Sequence, residues 1–226
     1  ISHPLRIMRL KLTYELINAY GLLSLRNTRF IEAQQATDEE LYLFHDKKYI
    51  ECLKALNEGK PHNDAHYYGI GAGDNPAFKG LLDWSRWHTG ATLQAVELVD
   101  SGEVDIAFNI AGGLHHAMPS KASGFCYVND PAIGITYLLK RGRKVAYIDI
   151  DAHHGDGVQD AFYGTNNVLT ISIHETGKFL FPGTGFESET GVGKGDGYSL
   201  NIPLPPYSDD EVLLYVFDEI VPIALE

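Results

Sequence analysis

The apolar residues of the chain recur with two different periods, and the period changes from one segment to the next. They stand three or four positions apart in residues 9–23 and 46–57, as on one face of a helix. Beyond residue 88, helical patterns alternate with short runs rich in branched and aromatic residues. The predicted order there is a helix at 89–102, a strand at 105–111, a helix at 132–142, strands at 144–150, 168–174 and 198–205, and a closing helix after residue 208.

Polar residues predict where several helices begin. Thr37 with Glu40, and Ser208 with Glu211, have the spacing of a capping box, in which each side chain bonds the other residue's backbone N–H. Asp130 occupies the N-cap position of the helix that follows it.

Strands separated by helices require right-handed crossovers, which give a parallel sheet with helices on both faces. We therefore expect an α/β fold with a three-layer α/β/α architecture around a mainly parallel central sheet. The chain has 226 residues, a length that suits one large domain, so residues 1–226 are expected to form a single domain.

Histidines and aspartates follow three of the predicted strands. The segments are "GGLHHA" at 112–117, "DAHHGDG" at 151–157 and "HETG" at 174–177. In open parallel sheets, ligands bind outside the carboxyl ends of the strands. This edge of the sheet is therefore the predicted functional site.

Composition excludes several classes of partner. A net charge of -12, with only 18 Lys and Arg, argues against direct nucleic-acid binding. The two cysteines, Cys52 and Cys126, do not form a disulfide framework or a Cys-x-x-Cys pair, which fits a reducing compartment. No apolar run approaches the roughly 20 residues that span a bilayer. We expect a cytoplasmic protein with no membrane partner; the sequence does not determine its oligomeric state.

Asp151 and His153 are candidate metal ligands. One residue separates them, so in an extended segment both side chains point the same way and can bind one cation. The alternative is that Asp149 and Asp151 cap the next segment while the histidines only form hydrogen bonds. Several ionisable groups after a buried strand favour the cation, because uncompensated buried carboxylates are costly.

The adjacent histidines His115 and His116 are candidate acid/base groups. Carboxylates that do not bind the metal, Asp149 and Asp156, can each accept a proton from one imidazole and fix its tautomer. Two His–Asp pairs beside one cation would result.

Five segments of the chain together form a recognisable pattern. They are "GGLHHA", "SGFCYVND", "YIDIDAHHGDGVQDAFYG", "ISIHE" and "FPGTG". Their order and approximate spacing resemble those of the histone deacetylase family, which comprises zinc-dependent hydrolases of the arginase/deacetylase fold. The chain resembles this family over nearly its whole length, and its N-terminal segment is most similar to the bacterial and archaeal members related to acetoin utilisation proteins.

The resemblance implies a metal-dependent deacetylase, a hydrolase that removes acetyl or other acyl groups from lysine side chains or similar amines. Asp151 and His153 would be zinc ligands, with ferrous iron as the alternative metal. His116 would be the general base and acid, and His115 its electrostatic partner. Asp156 would pair with His116 and Asp149 with His115.

The resemblance also assigns substrate contacts and potassium sites. Gly124, Phe125 and Phe181 would line a tunnel for the acyl-lysine stem. Asp74 would hold the substrate backbone at the rim, although "GDNP" by itself is simply a turn. Two monovalent-cation sites would be formed by Asp149, Asp151, His153 and Ser172, and by Phe162, Thr165, Val168 and Tyr198.

The pattern departs from the family in one respect. The family's third zinc ligand, an aspartate, and its transition-state tyrosine lie downstream of the positions that match residue 226. We therefore expect the C-terminal part of the fold to be missing from this chain, and the 226 residues alone to bind zinc poorly.

Three alternatives remain open at the level of sequence. The first concerns the substrate of a deacetylase, which is either an acetylated protein lysine or a small acetylated amine such as an acetylpolyamine. A non-catalytic protein of the same fold that binds acetyl-lysine or a partner is the second alternative. The third is a binuclear manganese ureohydrolase, which fits less well because His154 intervenes between His153 and the next carboxylate.

Overall fold

The computed structural model of the chain describes residues 6–71 and 73–226. The helices and strands are α1 (Met8–Ala19), α2 (Asp38–Leu41), α3 (Lys47–Asn57), α4 (Leu81–Asp100), α5 (Asp130–Lys140), β1 (Val145–Asp149), α6 (Asp156–Phe162), β2 (Val168–Glu175), β3 (Ser199–Leu204) and α7 (Asp210–Ala224), with 3₁₀ turns at Leu22–Ser24 and Gly193–Gly195. Within the described ranges, no helix combines the length and the hydropathy that crossing a membrane requires.

The chain divides into two compact units, Ile1–Gly134 and Ile135–Glu226. Helix α5 begins in the first unit and ends in the second. The expectation of a single catalytic domain stays a prediction.

In the first unit, α3 and α4 are joined by a cap that the sequence pattern did not indicate. Helix α4 begins at Leu81 rather than at residue 89. The side-chain oxygen of Asn57, the last residue of α3, accepts hydrogen bonds from the backbone N–H groups of Leu82 and Asp83 at 2.9 and 3.0 Å. Two otherwise unpaired N–H groups of α4 are thus satisfied by a residue from another helix.

The predicted strand at 105–111 is wrong. These residues have no regular secondary structure, and Ile106 and Phe108 are 86% and 76% exposed. A strand persists only when a neighbouring strand pairs with it, and the described residues of the first unit contain no strand.

The helix predicted at 9–23 is confirmed as α1, with a 3₁₀ turn after it. Its apolar residues Leu12 and Leu16 are 58% and 56% exposed. The capping box of Thr37 and Glu40 is also confirmed, at the start of α2.

In the second unit, the three predicted strands form a parallel sheet in the order β1-β2-β3, as expected. Asp149 at the end of β1 lies beside Ser172 of β2, which in turn lies beside Asn201 of β3. The sheet thus aligns one polar side chain from each strand across its width.

The two faces of this sheet differ because side chains alternate along each strand. Ile171 and Ile173 of β2 lie on one face and pack with Leu204 and Val221, the latter from α7. On the other face, Ser199 and Asn201 donate hydrogen bonds to Gln159 of α6. Helices therefore cover both faces of the sheet within this unit, as the predicted α/β/α layering requires.

The capping box predicted from Ser208 and Glu211 is wrong. Asp209 is the N-cap of α7, and its Oδ1 accepts a hydrogen bond from the N–H of Val212 at 3.1 Å. The Ser208 hydroxyl donates instead to the carbonyl of Pro205 at 2.8 Å. A carboxylate at this position also interacts more favourably than a hydroxyl with the positive end of the helix dipole.

The close passage of α4 past residues 34–36 gives a test of the fold. A Cβ atom added to Gly90 would lie 2.8 Å from the backbone N of Ala36 and closer still to the carbonyl oxygen of Gln34. We expect Gly90→Ala to lower the free energy of unfolding by roughly 2–3 kcal/mol, because backbone atoms cannot easily move aside.

The control is Gly134→Ala, also in a helix, where the added Cβ would meet only side-chain atoms, at 3.3 and 3.4 Å. Urea denaturation should show a change within about 1 kcal/mol for this variant. Equal stabilities of the two variants would contradict the close contact.

Candidate active site

His115 and His116 form a buried pair in the first unit. Their side chains are 5% and 4% exposed, respectively, and the two Nε2 atoms lie 3.0 Å apart. At that distance one ring nitrogen donates a proton to the other, so only one of the two carries hydrogen at Nε2. The pair is therefore arranged to share or pass on a proton.

The segment that carries this pair, residues 113–117, is held by two consecutive residues at the start of α5. The Asp130 carboxylate accepts hydrogen bonds from the N–H groups of Gly113 and Leu114 at 3.1 and 2.9 Å. Asn129 caps α5 by accepting a hydrogen bond from Ala132 N–H at 2.9 Å. The prediction that Asp130 is the N-cap is thus wrong, because its carboxylate is already engaged by the preceding loop.

His45 supports the same region from the loop before α3. It is 3% exposed, its Nε2 accepts a hydrogen bond from the N–H of Asn129 at 3.0 Å, and its Nδ1 lies 3.2 Å from the carbonyl oxygen of Pro119. Burial lowers the pKa of His45 to about 4, although the backbone carbonyl contacts oppose this. The neutral ring is the form that this hydrogen-bond pattern requires.

Gly124 and Phe125 lie at the tip of a tight turn. Ser123 and Cys126 exchange two backbone hydrogen bonds across it, at 3.1 and 2.7 Å. The φ angles of Gly124 and Phe125 are +49° and +69°, as in the mirror-image turns that connect hairpins. A positive φ angle is unfavourable for a residue with a side chain such as Phe125. The surrounding structure therefore holds this backbone conformation, and with it the direction of the Phe125 side chain.

The loop that carries Asp74 is tied to this turn. Asn75 is 4% exposed and donates a hydrogen bond to the carbonyl of Cys126 at 3.3 Å. The hydroxyl of Tyr127 donates to the carbonyl of Pro76 at 2.6 Å. Asp74 itself is exposed. The structure thus brings the predicted rim residue and the predicted tunnel residues of the first unit into one region.

In the second unit, the chain beyond β1 is folded by a series of short-range hydrogen bonds. Asp149 accepts one from the hydroxyl of Tyr147 at 2.6 Å and one from the N–H of Asp151 at 3.0 Å. Asp151 accepts in turn from the N–H of His153 at 2.8 Å. These bonds turn the chain sharply at the sheet edge and direct Asp151 and His153 to the same side.

The donor atoms of Asp151 and His153 suit a metal ion. Asp151 Oδ1 and His153 Nδ1 lie 3.0 Å apart. Two ligands of a tetrahedral zinc ion with bonds near 2.0 Å stand roughly 3.3 Å apart, so a small shift would accommodate the ion. Among the described residues, however, no group of three or more His, Cys, Asp or Glu side chains is arranged to hold a metal. Asp151 and His153 would therefore supply two ligands of such a site.

Phe181 and Asp156 both follow this loop in the sequence. The ring of Phe181 is 43% exposed and meets His153 edge to face, with centroids 6.3 Å apart. Asp156 is the first residue of α6, is 8% exposed, and bonds the N–H of Gly157 at 2.9 Å. Phe181 is thus placed beside a proposed metal ligand.

A second pair of buried imidazoles, His154 and His174, has a role that the sequence did not indicate. The rings are tilted and their centroids are 4.8 Å apart. His174 bonds the Ser172 hydroxyl and the Gly185 carbonyl at 2.8 and 2.9 Å. His154 contacts the Thr184 hydroxyl at 2.8 Å. Both histidines thus anchor the "FPGTG" loop to the sheet.

Burial, together with their mutual proximity in the case of His154, lowers the pKa of these two imidazoles. The side-chain oxygen of Gln159 accepts hydrogen bonds from His154 at 3.1 Å, from Ser199 and from Asn201. The only sequence signal for this network was the period-two spacing of Ser172 and His174, which places both on the polar face of β2.

The chain is similar to known proteins over nearly its whole length. The sequence profile of the histone deacetylase domain matches residues 3–226. The acetoin utilization protein AcuC of Bacillus subtilis (strain 168) is 43% identical over 218 residues, which are 96% of this chain and 56% of the relative. The protein of the same name from Staphylococcus aureus (strain MSSA476) is 45% identical over the same shares of the two chains.

Two solved structures are similar over nearly the whole chain. A histone deacetylase (HDAC) homolog from Aquifex aeolicus has a TM-score of 0.90 and 43% identity, over 99% of this chain and 60% of that protein. An HDAC homolog complexed with SAHA has a TM-score of 0.84 and 43% identity, over 94% and 57%. The predicted arginase/deacetylase-like fold is confirmed, and the chain spans little more than half the length of its curated relatives.

The buried neutral His45 predicts a loss of stability in mild acid. Its folded-state pKa of about 4 lies below the ordinary value of 6.5, so the unfolded chain binds a proton first as the pH falls. The stability that neutral His45 contributes is complete above pH 6.5 and is lost between pH 6.5 and 4. At pH 5 the loss should be about 2 kcal/mol relative to pH 7.

Urea denaturation of the parent and of a His45→Gln variant at pH 7 and 5 measures this contribution. Glutamine keeps a hydrogen-bond acceptor for Asn129 but does not titrate, so the variant should lose about 2 kcal/mol less than the parent between the two pH values. Equal losses would contradict the assignment.

The packing of the "FPGTG" loop on the histidine pair gives a further prediction. A Cβ atom at Gly185 would lie 2.6 Å from Cγ of His154 and closer still to Nε2 of His174. Gly183 has a similar φ, +87° against +83°, but its added Cβ would meet nothing nearer than 3.8 Å. Gly185→Ala should therefore be less stable than Gly183→Ala by at least about 2 kcal/mol in chemical denaturation. Equal destabilisation would mean that backbone strain alone matters.

Proposed function

The chain belongs to the histone deacetylase family, and we propose that it acts, within its whole protein, as a zinc-dependent deacetylase of acylated lysine side chains or similar amines. The observation that carries the proposal is the pair of buried imidazoles, His115 and His116, whose Nε2 atoms lie 3.0 Å apart. Two buried histidines in such contact can transfer protons. Amide hydrolysis needs two such transfers, one from the attacking water and one to the leaving amine.

In this proposal His116 is the general base and then the general acid. Its imidazole takes a proton from the attacking water and later gives it to the departing amine, since an amine leaves readily only when protonated. The Nε2 of His115 lies 3.0 Å from that of His116, so His115 influences the charge of the neighbouring ring. Asp156 and Asp149 are assigned to His116 and His115 respectively, as partners that fix each tautomer.

The proposed hydrolysis needs no reactant other than the acylated amine and water. Water adds its oxygen to the acyl carbon, the C–N bond breaks, and the products are a carboxylate and the free amine. When bound, zinc supplies a Lewis acid that polarises the acyl carbonyl and makes water more acidic. Asp151 and His153 would hold it, and their 3.0 Å donor separation supports this role. The third protein ligand and the family's tyrosine are assigned to residues outside these 226.

The substrate stem is assigned to Gly124, Phe125 and Phe181. An aliphatic stem gains about 25 cal/mol for each Å² of apolar surface that leaves water, which aromatic walls provide. Asp74 is assigned to the substrate backbone, and the hydrogen bonds of its loop to residues 126 and 127 would keep it at a fixed place. Potassium at the two predicted cation sites is part of the same proposal.

The test uses the longest natural form of the polypeptide, loaded with zinc, and measures acetate release from an acetyl-lysine peptide. His116→Ala should lower kcat by at least about 100-fold, because a positioned general acid/base contributes that much or more. Asp151→Ala should also lose activity and should retain less zinc by elemental analysis. Asp218→Ala, an exposed carboxylate on α7, is the matched control and should behave as the parent.

A folded, zinc-loaded parent that releases no acetate from the peptide would contradict the lysine-deacetylase proposal. Release from an acetylpolyamine by the same sample would then indicate a small acylated amine as the substrate. Tight binding of the acetyl-lysine peptide without turnover would indicate a non-catalytic binding protein.

A further inference from the structure

We propose that Asn129 and Asp130 are positioning residues that clamp the backbone of residues 113–117 and so hold His115 and His116 in place for proton transfer. This inference rests on the proposed function of the two histidines. Neither Asn129 nor Asp130 touches a substrate atom in this scheme. They act through the backbone of the segment that carries the catalytic pair.

Asp130 closes the amino-terminal side of the clamp. Each of its carboxylate oxygens accepts a backbone hydrogen bond, Oδ2 from Gly113 at 3.1 Å and Oδ1 from Leu114 at 2.9 Å. The Thr92 hydroxyl donates to Oδ2 at 2.6 Å. Hydrogen bonds to an ionised acceptor are roughly twice as strong as neutral ones, so this side of the clamp is stiff.

Asn129 closes the carboxyl-terminal side. Its side-chain amide donates two hydrogen bonds, to the carbonyl oxygens of His115 at 3.1 Å and Ala117 at 3.0 Å. Its side-chain oxygen caps α5, and its own N–H is bonded to His45. Every polar group that fixes the orientation of this amide is therefore engaged, and the amide cannot turn over without losing several bonds.

The two side chains are complementary in chemistry. The carboxylate only accepts hydrogen bonds and meets the N–H groups of the segment, whereas the amide nitrogen only donates and meets its carbonyl groups. The segment has no regular secondary structure, so these bonds take the place of a helix or a sheet. Because Asn129 and Asp130 start α5, they tie the segment to a rigid element.

Burial and charge suit a positioning role for Asp130. It is 1% exposed, and the ring of His88, also 1% exposed, places Nδ1 at 3.5 Å from its Oδ1. That separation makes the contact electrostatic rather than a good hydrogen bond. Burial alone would raise the pKa of Asp130, but His88, Thr92 and the Leu114 amide together lower it, so the carboxylate is ionised.

The backbone at Gly112 is tightly packed against Asp130 and Thr92. A Cβ atom added to Gly112 would lie 2.6 Å from Oδ2 of Asp130 and 2.8 Å from Oγ1 of Thr92. The loop backbone thus sits directly against the carboxylate. Since a misplacement of about 1 Å can cost about 100-fold in rate, loosening this contact should affect catalysis more than binding.

The test compares two isosteric variants of the longest natural form, Asp130→Asn and Asn129→Asp. Each reverses part of the donor and acceptor pattern at constant size. With the acetyl-lysine peptide we expect kcat to fall by about 30-fold or more, KM to change by less than about threefold, and the pH profile of kcat to shift. A merely structural role would not separate kcat from KM in this way.

Asp38→Asn is the matched control. It makes the same chemical change in the same unit, where Asp38 pairs with Lys54 and Arg86 and lies outside the clamp. This variant should lose stability in urea denaturation but keep the kcat of the parent. If it lowers kcat as much as Asp130→Asn, the effect is general destabilisation and the clamp is contradicted.

A second readout does not depend on turnover. The imidazole ¹⁵N signals of His115 and His116, assigned with single His→Gln variants, report ring environment and tautomer. Asp130→Asn and Asn129→Asp should move both signals, and Asp38→Asn should leave them unchanged. Moved signals in an inactive parent would uphold the clamp while the proposed function fails. Folded clamp variants with unchanged signals and a kcat within threefold of the parent would overturn the inference.

Discussion

Burying a polar group without a hydrogen bond is costly, and the structure around the candidate site depends on this constraint. In the second unit it concerns the polar face of the sheet, where Gln159 accepts three hydrogen bonds and donates one to Glu189. In the first unit it concerns residues 113–117, whose backbone groups are satisfied by Asn129 and Asp130. Side chains satisfy other side chains on the sheet face, whereas at residues 113–117 they satisfy backbone groups in place of regular secondary structure.

The same constraint favours the neutral form of three buried histidines, one in the first unit and two in the second. His45, His154 and His174 are buried, and burial lowers the pKa of each. In His45, Nε2 accepts from the N–H of Asn129 while Nδ1 faces the carbonyl of Pro119, a pattern that only the neutral ring can form. The contacts of His45 in the first unit, and of His154 and His174 in the second, thus favour uncharged rings.

Several expectations based on local sequence failed for one physical reason. Residues distant in sequence, by forming or not forming a contact, decided the local structure. Asp130 does not cap α5, because the loop seventeen residues earlier engages its carboxylate. Helix α4 starts early because Asn57 caps it from α3. The expected strand at 105–111 lacks a neighbour among the described residues of its unit. In each case the residue types were suitable and the partner decided the outcome.

The sequence by itself determined the order of helices and strands around the parallel sheet, the residue types of the site, and the family. It could do so because hydrophobic period and motif spacing are local properties of the chain. Only the tertiary structure decided which hydrogen bonds form between residues far apart in sequence. The clamp of Asn129 and Asp130 on residues 113–117 and the His154 network depend on such partners. Their geometry is set by packing, which no local pattern encodes.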